Sequence, residues 1–223
     1  VMMPSASPWK VERTRGLGGE VVFCEDHFES RTATVREIAE DEGRTVVHPY
    51  DHPHVVAGNG TAALEILEDG DHLQRILVPI SGGGLIAGIA TATALLDPAV
   101  EVWGVQPEGS NATYLSFQQG KPVSISRADT IADGLRVTRP GDFTFPLIQQ
   151  HVSRVVTVSE DSIRHAVARF FSDEKLVVEP SGAVTLAAVL EDRAPAQGTV
   201  CVISGGNVAP DDFCSLVETL NRP

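Results

Sequence analysis

Lysine is nearly missing from this chain of 223 residues: there are three, Lys10, Lys121 and Lys175. Lysine and arginine together number 17 against 30 acidic residues, for a formal net charge of −13 at pH 7. A surface of that sign repels phosphate backbones and anionic lipid, so neither nucleic acid nor a membrane is expected as a partner, and solubility is the plain consequence. Cysteine is scarce too. Cys24, Cys201 and Cys214 are odd in number and show no CxxC spacing, so neither a disulfide framework nor a zinc site is suggested. Cys24 and Cys201 lie in the apolar runs "VVFC" and "VCVIS" and are expected as buried thiols of a reducing compartment, the cytoplasm. No apolar run approaches the roughly 20 residues that a membrane span needs. The opening "VMMPSASPWK" lacks the basic and apolar regions of a signal peptide and reads as a strand followed by a proline turn.

What is present is an alternation. Short β-branched runs at residues 1–3, 20–24, 45–48, 76–79, 101–105, 154–158 and 199–203 are expected as strands. Between most of them lie helical patterns at 30–41 (stopped by Gly43), 61–67, 85–96 and 183–190. Another starts after Ser159, an N-cap followed by Glu160 and Asp161, with Ile163, Ala166, Val167 and Phe170 as its apolar stripe. This order predicts an α/β fold with a largely parallel sheet. Residues 118–145, rich in Gly, Pro, Asp and Thr, are expected as loop and short helix. "HPYDHPH", His48 to His54, interrupts both periodicities and marks an expected boundary, with domains over residues 1–52 and 53–223. Its three histidines invite a metal, but a proline-broken run without helical spacing favours a loop.

The most informative stretch is "SGGGLIAG", residues 81 to 88, directly after the strand "RILVPI". Bare backbone between a strand and a helix turns several N–H groups inward and adds the positive end of the helix, which together make an anion site suited to phosphate. No GxxxxGK[ST] occurs, so this is not a nucleoside-triphosphate loop. Gly82, Gly84 and Ala87 satisfy the dinucleotide pattern GxGxxA, but the next strand ends in Gln106 where an acidic ribose partner belongs. Close strand–helix packing is the remaining alternative. A second turn of small residues, "CVISGGNV", follows the last strand and delivers Ser204 to the same sheet edge.

These stretches, with "MPSASPWKVERTRGLGGEVVFC", "VVHPYDHPHVVAGNGTAALEI", "GVQPEGS", "TIADGL" and "VVEPSGAVTLAAVL", run in an order and spacing that resemble the tryptophan-synthase-β-like (fold type II) pyridoxal-phosphate enzymes. Among them the chain is most similar to the threonine/serine dehydratase and serine racemase group. The resemblance implies a two-domain, parallel-sheet architecture. Residues 1–52 would be the rear part of a small cofactor-closing domain, and 53–223 the large domain that binds pyridoxal 5'-phosphate. It implies that Ser81, Gly82, Gly83, Gly84 and Leu85 bind the cofactor's phosphate and that Ser204 hydrogen-bonds the pyridine nitrogen. It also implies that Gly134 lines the ring and that Glu179 lies close by; a helix-start carboxylate is an equal reading of Glu179.

Two motifs of that family are missing. The lysine that links to the cofactor sits in an N-terminal Ser-x-Lys motif, followed by a loop that grips the substrate carboxylate, and neither is here. The chain is therefore expected to be the C-terminal part of a larger enzyme, one that needs its own N-terminal fragment or a second chain to supply the lysine, within a homo-oligomer. Where relatives bind a divalent cation, this chain has Gln106 and Ala112, which disfavours a metal. The chain ends soon after "SGGNV", which fits the short, catabolic dehydratases. The expected reaction converts threonine or serine to a 2-oxo acid and ammonia. Racemisation of serine or hydroxyaspartate, and a lysine-free binding protein of the same fold, are the alternatives.

Overall fold

The computed structural model describes residues 1–218, apart from the side chain of Phe28. They divide into two compact units, Val1–His48 and Pro49–Pro223. The second is built on four parallel strands, β1 (Arg75–Pro79), β2 (Glu101–Pro107), β3 (Arg154–Val158) and β4 (Thr199–Cys201), in the order β3-β2-β1-β4. β1 lies between β2 and β4, pairing Leu77 with Trp103 on one side and with Cys201 on the other. The parallel α/β expectation agrees with this sheet.

Alternation along β1 sorts the core into two layers. Ile76, Val78 and Ile80 face one way and are fully or almost fully buried with Val56, Ile86, Ile89 and Ile148. These come from α3 (Pro53–Asp69), α4 (Gly84–Leu96) and α6 (Thr144–His151). Leu77 faces the other way, joining Trp103, Val105, Ile163, Val167, Val184 and Phe213. This second layer takes its helices from α7 (Glu160–Glu174), α8 (Pro180–Leu190) and α9 (Pro210–Val217). α3 and α4 cross where Gly88 meets Val56 and Gly60; a Cβ on Gly88 would sit 2.3 Å from the Val56 carbonyl oxygen.

Local chemistry starts and stops these helices. Ser159 accepts a hydrogen bond from the Ser162 N–H at 3.2 Å, as its position predicts, and α7 ends at Lys175 in a left-handed conformation. α3 begins well before residue 61, because Pro53 occupies its first turn, where no N–H is needed, rather than breaking it. The His52 ring caps it, Nδ1 accepting from the His54 N–H at 3.2 Å. The histidine-rich run is thus a helix start rather than a loop throughout. α5 (Ala112–Gln119), α6 and α9 were not expected as helices. They are eight residues each, too short for a clear apolar period. β4 stops at Cys201, two residues before the expected end.

The first unit holds α1 (Pro8–Gly16) and α2 (Phe28–Glu42). The expected proline turn is present at Pro4, closed by the Ala6 N–H donating to the Met3 carbonyl at 3.0 Å, and α1, not expected, follows it, again with proline in the first helical turn. α2 stops at Gly43 in the left-handed region, as expected. The strands expected at 1–3 and 20–24 reduce to one parallel bridge between Met2 and Phe23, and 45–48 forms no strand. An extended segment becomes a strand only when a neighbour takes its N–H and C=O groups.

Candidate functional site

The chain lays down β1, β2 and β3 in one direction and then returns to place β4 on the other side of β1. Connections leave β1 and β4 on opposite sides, and the crevice beyond their carboxyl ends is where open α/β sheets take ligands. β1 ends in the glycine turn and β4 leads to Ser204, so both turns singled out in the sequence reach this crevice.

Gly83 is the N-cap of α4 with φ 101°, a left-handed conformation that glycine adopts without strain. The three glycines are bare for a packing reason. A Cβ on Gly82 would lie 2.5 Å from the Tyr50 ring, on Gly83 2.6 Å from Ile148 Cδ1, and on Gly84 2.7 Å from the Tyr50 carbonyl oxygen. The turn is clasped between Tyr50 and α6. That clasp leaves its amides in a distinctive state. Ser81, Gly82, Gly83 and Gly84 are buried, yet among the described residues no acceptor takes the N–H of Gly82, Gly83, Gly84 or Leu85. Buried donors without partners are rare in folded proteins. Three of them, with the N–H of half-buried Leu85 alongside at the positive end of a helix, fit a phosphate, and no cation is needed beside them.

Buried hydroxyls tie this turn to the rest of the crevice. Ser81 Oγ donates to the Leu135 carbonyl at 2.9 Å, Ser110 Oγ donates to the same oxygen at 2.7 Å, and Thr113 Oγ1 donates to the Ser81 carbonyl at 2.6 Å. Next to Leu135, the Gly134 N–H donates to Ser181 Oγ at 2.9 Å, at the start of α8. Glu179 is the N-cap of α8; its side chain makes no capping bond, and its N–H donates to the Gly205 carbonyl at 3.1 Å. Its carboxylate lies against Gly205, beside Ser204, so Glu179 stands both at a helix start and at the crevice. Ser204 itself is exposed, and among the described residues its hydroxyl makes no hydrogen bond. Ser81, Gly134, Glu179 and Ser204 are thus linked through neighbouring contacts at one sheet edge.

Several nearby groups are chemically quiet. Burial pushes the Cys201 thiol up to about 11, with only partial relief from the Thr185 hydroxyl, so it stays protonated at neutral pH and is no nucleophile. Cys201 and Cys24 are only partly buried, and Cys214 is exposed, short of the full burial expected for the first two. Lys175 is exposed and donates from Nζ to the Ser172 carbonyl at 2.6 Å; Lys121 is exposed beyond α5; Lys10 lies in α1. Gln106 is fully buried, and its Oε1 accepts from the Tyr114 N–H at 2.9 Å. Ala112, also fully buried, offers no ligand at all. Among the described residues, no group of three or more His, Cys, Asp or Glu gathers as a metal ion needs, and no helix is long and apolar enough to cross a membrane.

Sequence reasoning passed over Tyr50, Asp51, Thr144 and Ser181. Tyr50, Asp51 and Ser181 lie in motif stretches that the sequence singled out without a role for these residues, Thr144 lies in none of those motifs, and each reaches the crevice only through the fold.

A phosphate-seeking turn at the switch point of a parallel sheet defines a cofactor-binding α/β protein. The family model of pyridoxal-phosphate-dependent enzymes matches residues 1–206, and the chain belongs to that family. It is 43% identical over 221 residues to an L-threonine ammonia-lyase of Geobacter sulfurreducens, covering 98% of this chain and 55% of the relative. It is 41% identical over 213 residues to the catabolic L-threonine dehydratase of Escherichia coli K12, covering 93% of this chain and 65% of that protein. Among solved structures, maize serine racemase superposes with a TM-score of 0.89 at 32% identity, over 98% of this chain and 69% of that one. The chain therefore spans 55 to 65% of the length of those two curated relatives.

Proposed function

We propose that this chain is the larger, C-terminal part of a pyridoxal-phosphate-dependent ammonia-lyase that converts threonine or serine to a 2-oxo acid and ammonia. The four partnerless amides of the glycine turn carry this reading, together with the threonine ammonia-lyase and dehydratase likeness across almost the whole chain. Bound in the crevice, pyridoxal phosphate supplies an electron sink for the charge left when the α-proton departs. The chain's own residues do the holding. Gly82 to Leu85 donate to the phosphate, Ser81 fixes the turn through Leu135, and Gly134 and Glu179 frame the crevice. Ser204 Oγ meets the ring nitrogen as a hydroxyl, which leaves that nitrogen unprotonated and favours loss of the β-hydroxyl over other fates. Residues 1–48 belong to a smaller domain. The lysine that moves the proton comes from a polypeptide outside this sequence, its own N-terminal segment or a second chain, because none of the three lysines here lies in the family's Ser-x-Lys motif.

The test pairs this chain with the N-terminal segment of a relative such as the Escherichia coli dehydratase and adds pyridoxal phosphate. A shifted visible absorption band, with 2-oxobutyrate from threonine or pyruvate from serine, is the expected result. No band and no oxo acid would mark a binding protein without chemistry. The likeness to maize serine racemase favours a second activity on the same site, and chiral analysis of recovered serine separates it from elimination. Ser204→Ala should slow oxo-acid formation without moving the melting temperature, since an exposed hydroxyl with no protein partner holds up nothing else.

A further inference from the structure

The glycine turn does not hold itself in place. Its Gly82 carbonyl accepts two hydrogen bonds, from Thr144 Oγ1 at 2.7 Å and from the Gly141 N–H at 3.1 Å. Thr144 is fully buried and opens α6. α6 in turn is capped by a residue distant in sequence. Asp51 Oδ1 accepts from the N–H groups of Phe143 at 3.0 Å and Thr144 at 3.1 Å, and Oδ2 accepts from the Asp142 N–H at 3.0 Å. No residue adjoining α6 caps it with a side chain. The neighbour of Asp51, Tyr50, packs its ring on Gly82 and its backbone on Gly84.

The geometry of a trans peptide turns this clamp into an orienting device. The C=O of Gly82 and the N–H of Gly83 belong to one plane and point in opposite directions. Two donors that draw the Gly82 oxygen toward α6 therefore aim the Gly83 N–H away from α6. A negative side chain next to an anion site looks counterproductive, but the Asp51 charge is spent on three N–H groups at the positive end of α6.

We propose that Asp51, acting through Thr144, is the positioning residue of the phosphate site: it seats α6 so that the Gly82–Gly83 peptide presents its N–H to the anion. This rests on the glycine turn being that site. Loss of the clamp lets the peptide plane rotate and removes an aligned donor, so the effect falls on the phosphate and not on the ring.

The experiment uses the complete polypeptide that carries these residues and measures dissociation constants for pyridoxal phosphate and for pyridoxal, which lacks the phosphate, by absorbance titration. Thr144→Val is nearly isosteric and deletes the Oγ1 bond; Asp51→Ala deletes all three capping bonds. Both are expected to weaken pyridoxal phosphate binding about tenfold, the scale of one lost buried hydrogen bond. Pyridoxal binding should stay unchanged, and Thr144→Ser should restore the native affinity. If Thr144→Val keeps the wild-type preference for the phosphorylated compound, the positioning role is overturned while the reading of the turn stands. Parallel loss of both ligands also overturns it, since that marks general loosening. A wild-type protein that binds both compounds equally defeats the reading of the turn, and the positioning role falls with it.

Discussion

Residues 1–48 and residues 49–223 carry similar extended segments, yet only the second set forms a ladder. Val21, Val22, Val46 and Val47 are as β-branched as Ile76, Val78 and Val102. In β1 and β2 those side chains are buried between two helical layers; in the first unit Val47 is 80% exposed and Leu17 82%. The 15-residue α2 buries none of its described side chains, and Val11 is the one buried apolar residue of the unit among those described. What differs is the company each segment keeps. A strand-like sequence yields a strand when a neighbouring strand and covering helices exist, and the first unit offers a single bridge.

The comparison breaks most sharply at the glycines. Gly88→Leu should destabilise the second unit by at least about 3 kcal/mol, because the new side chain meets the Val56 backbone, which cannot move aside. Gly16→Ala, at the end of α1 with open space around it, should stay within about 1 kcal/mol. Urea denaturation of each variant measures both. Equal losses would mean that the first unit is as tightly packed as the second. Amide exchange sharpens the same contrast without mutation. The N–H groups of Leu77 and Val78 should exchange at least about a thousandfold more slowly than those of Val46 and Val47, since the first are ladder groups under full burial. Comparable protection of both pairs would show that residues 45–48 have found a strand partner.

Why the sequence disclosed one unit better than the other follows from the same physics. β1 and β3 stand within a residue of where apolar, β-branched runs predict them; β1, buried on both faces, reads as a continuous hydrophobic stretch. The strand-like runs at 1–3, 20–24 and 45–48 carry the same composition, and composition alone does not reveal whether a pairing strand is at hand. Within the site, the glycine turn and Ser204 were visible because small residues after a strand have a local meaning. The packing cause of the three glycines was not, since Tyr50 and Ile148 come from 34 positions before and 64 after Gly84 and meet the turn only in three dimensions. Asp51 was hidden for that reason as well: its partners lie about 90 residues further on.

A smaller effect concerns the seam between α7 and α8. Glu191, the C-cap of α8, accepts from the Ser159 N–H at 3.0 Å and from the Ser159 hydroxyl. Burial works to raise the pKa of its carboxyl, but bonds from the Ser159 and Ser162 hydroxyls, the Ser159 N–H and Arg193 outweigh it and leave it below the usual range. A carboxylate depressed in the folded state stabilises above its unfolded pKa of about 4.3 and loses that stabilisation as pH falls through the lower folded value. Glu191→Gln should therefore cost about 1–2 kcal/mol at pH 7, and the gap from wild type should close as pH drops below about 4. Thermal melts across that range check the sign; a gap that widens in acid would show that Glu191 is stabilised as the neutral acid instead.

The smallest expected effect is at Val47, and it bears on the proposed partner. A hollow of about 260 Å³ within the first unit is lined by Val22, Val35, Ile38, Ala39, Val46 and Val47. In the chain by itself Val47→Ser removes little buried surface and should shift stability by no more than about 0.5 kcal/mol. If the N-terminal polypeptide of the proposed function covers the hollow, Val47 becomes buried on assembly, and the same change then loses about 1–2 kcal/mol, the scale of burying one valine. The measurement is a titration of this chain and its Val47→Ser variant with the N-terminal segment, followed by size exclusion, together with melts of each chain alone. Weaker association of the variant with an unchanged melt places the partner on this face. Equal association by the two chains places it elsewhere, and a lower melt for the variant alone would mean that Val47 already serves a core within residues 1–48.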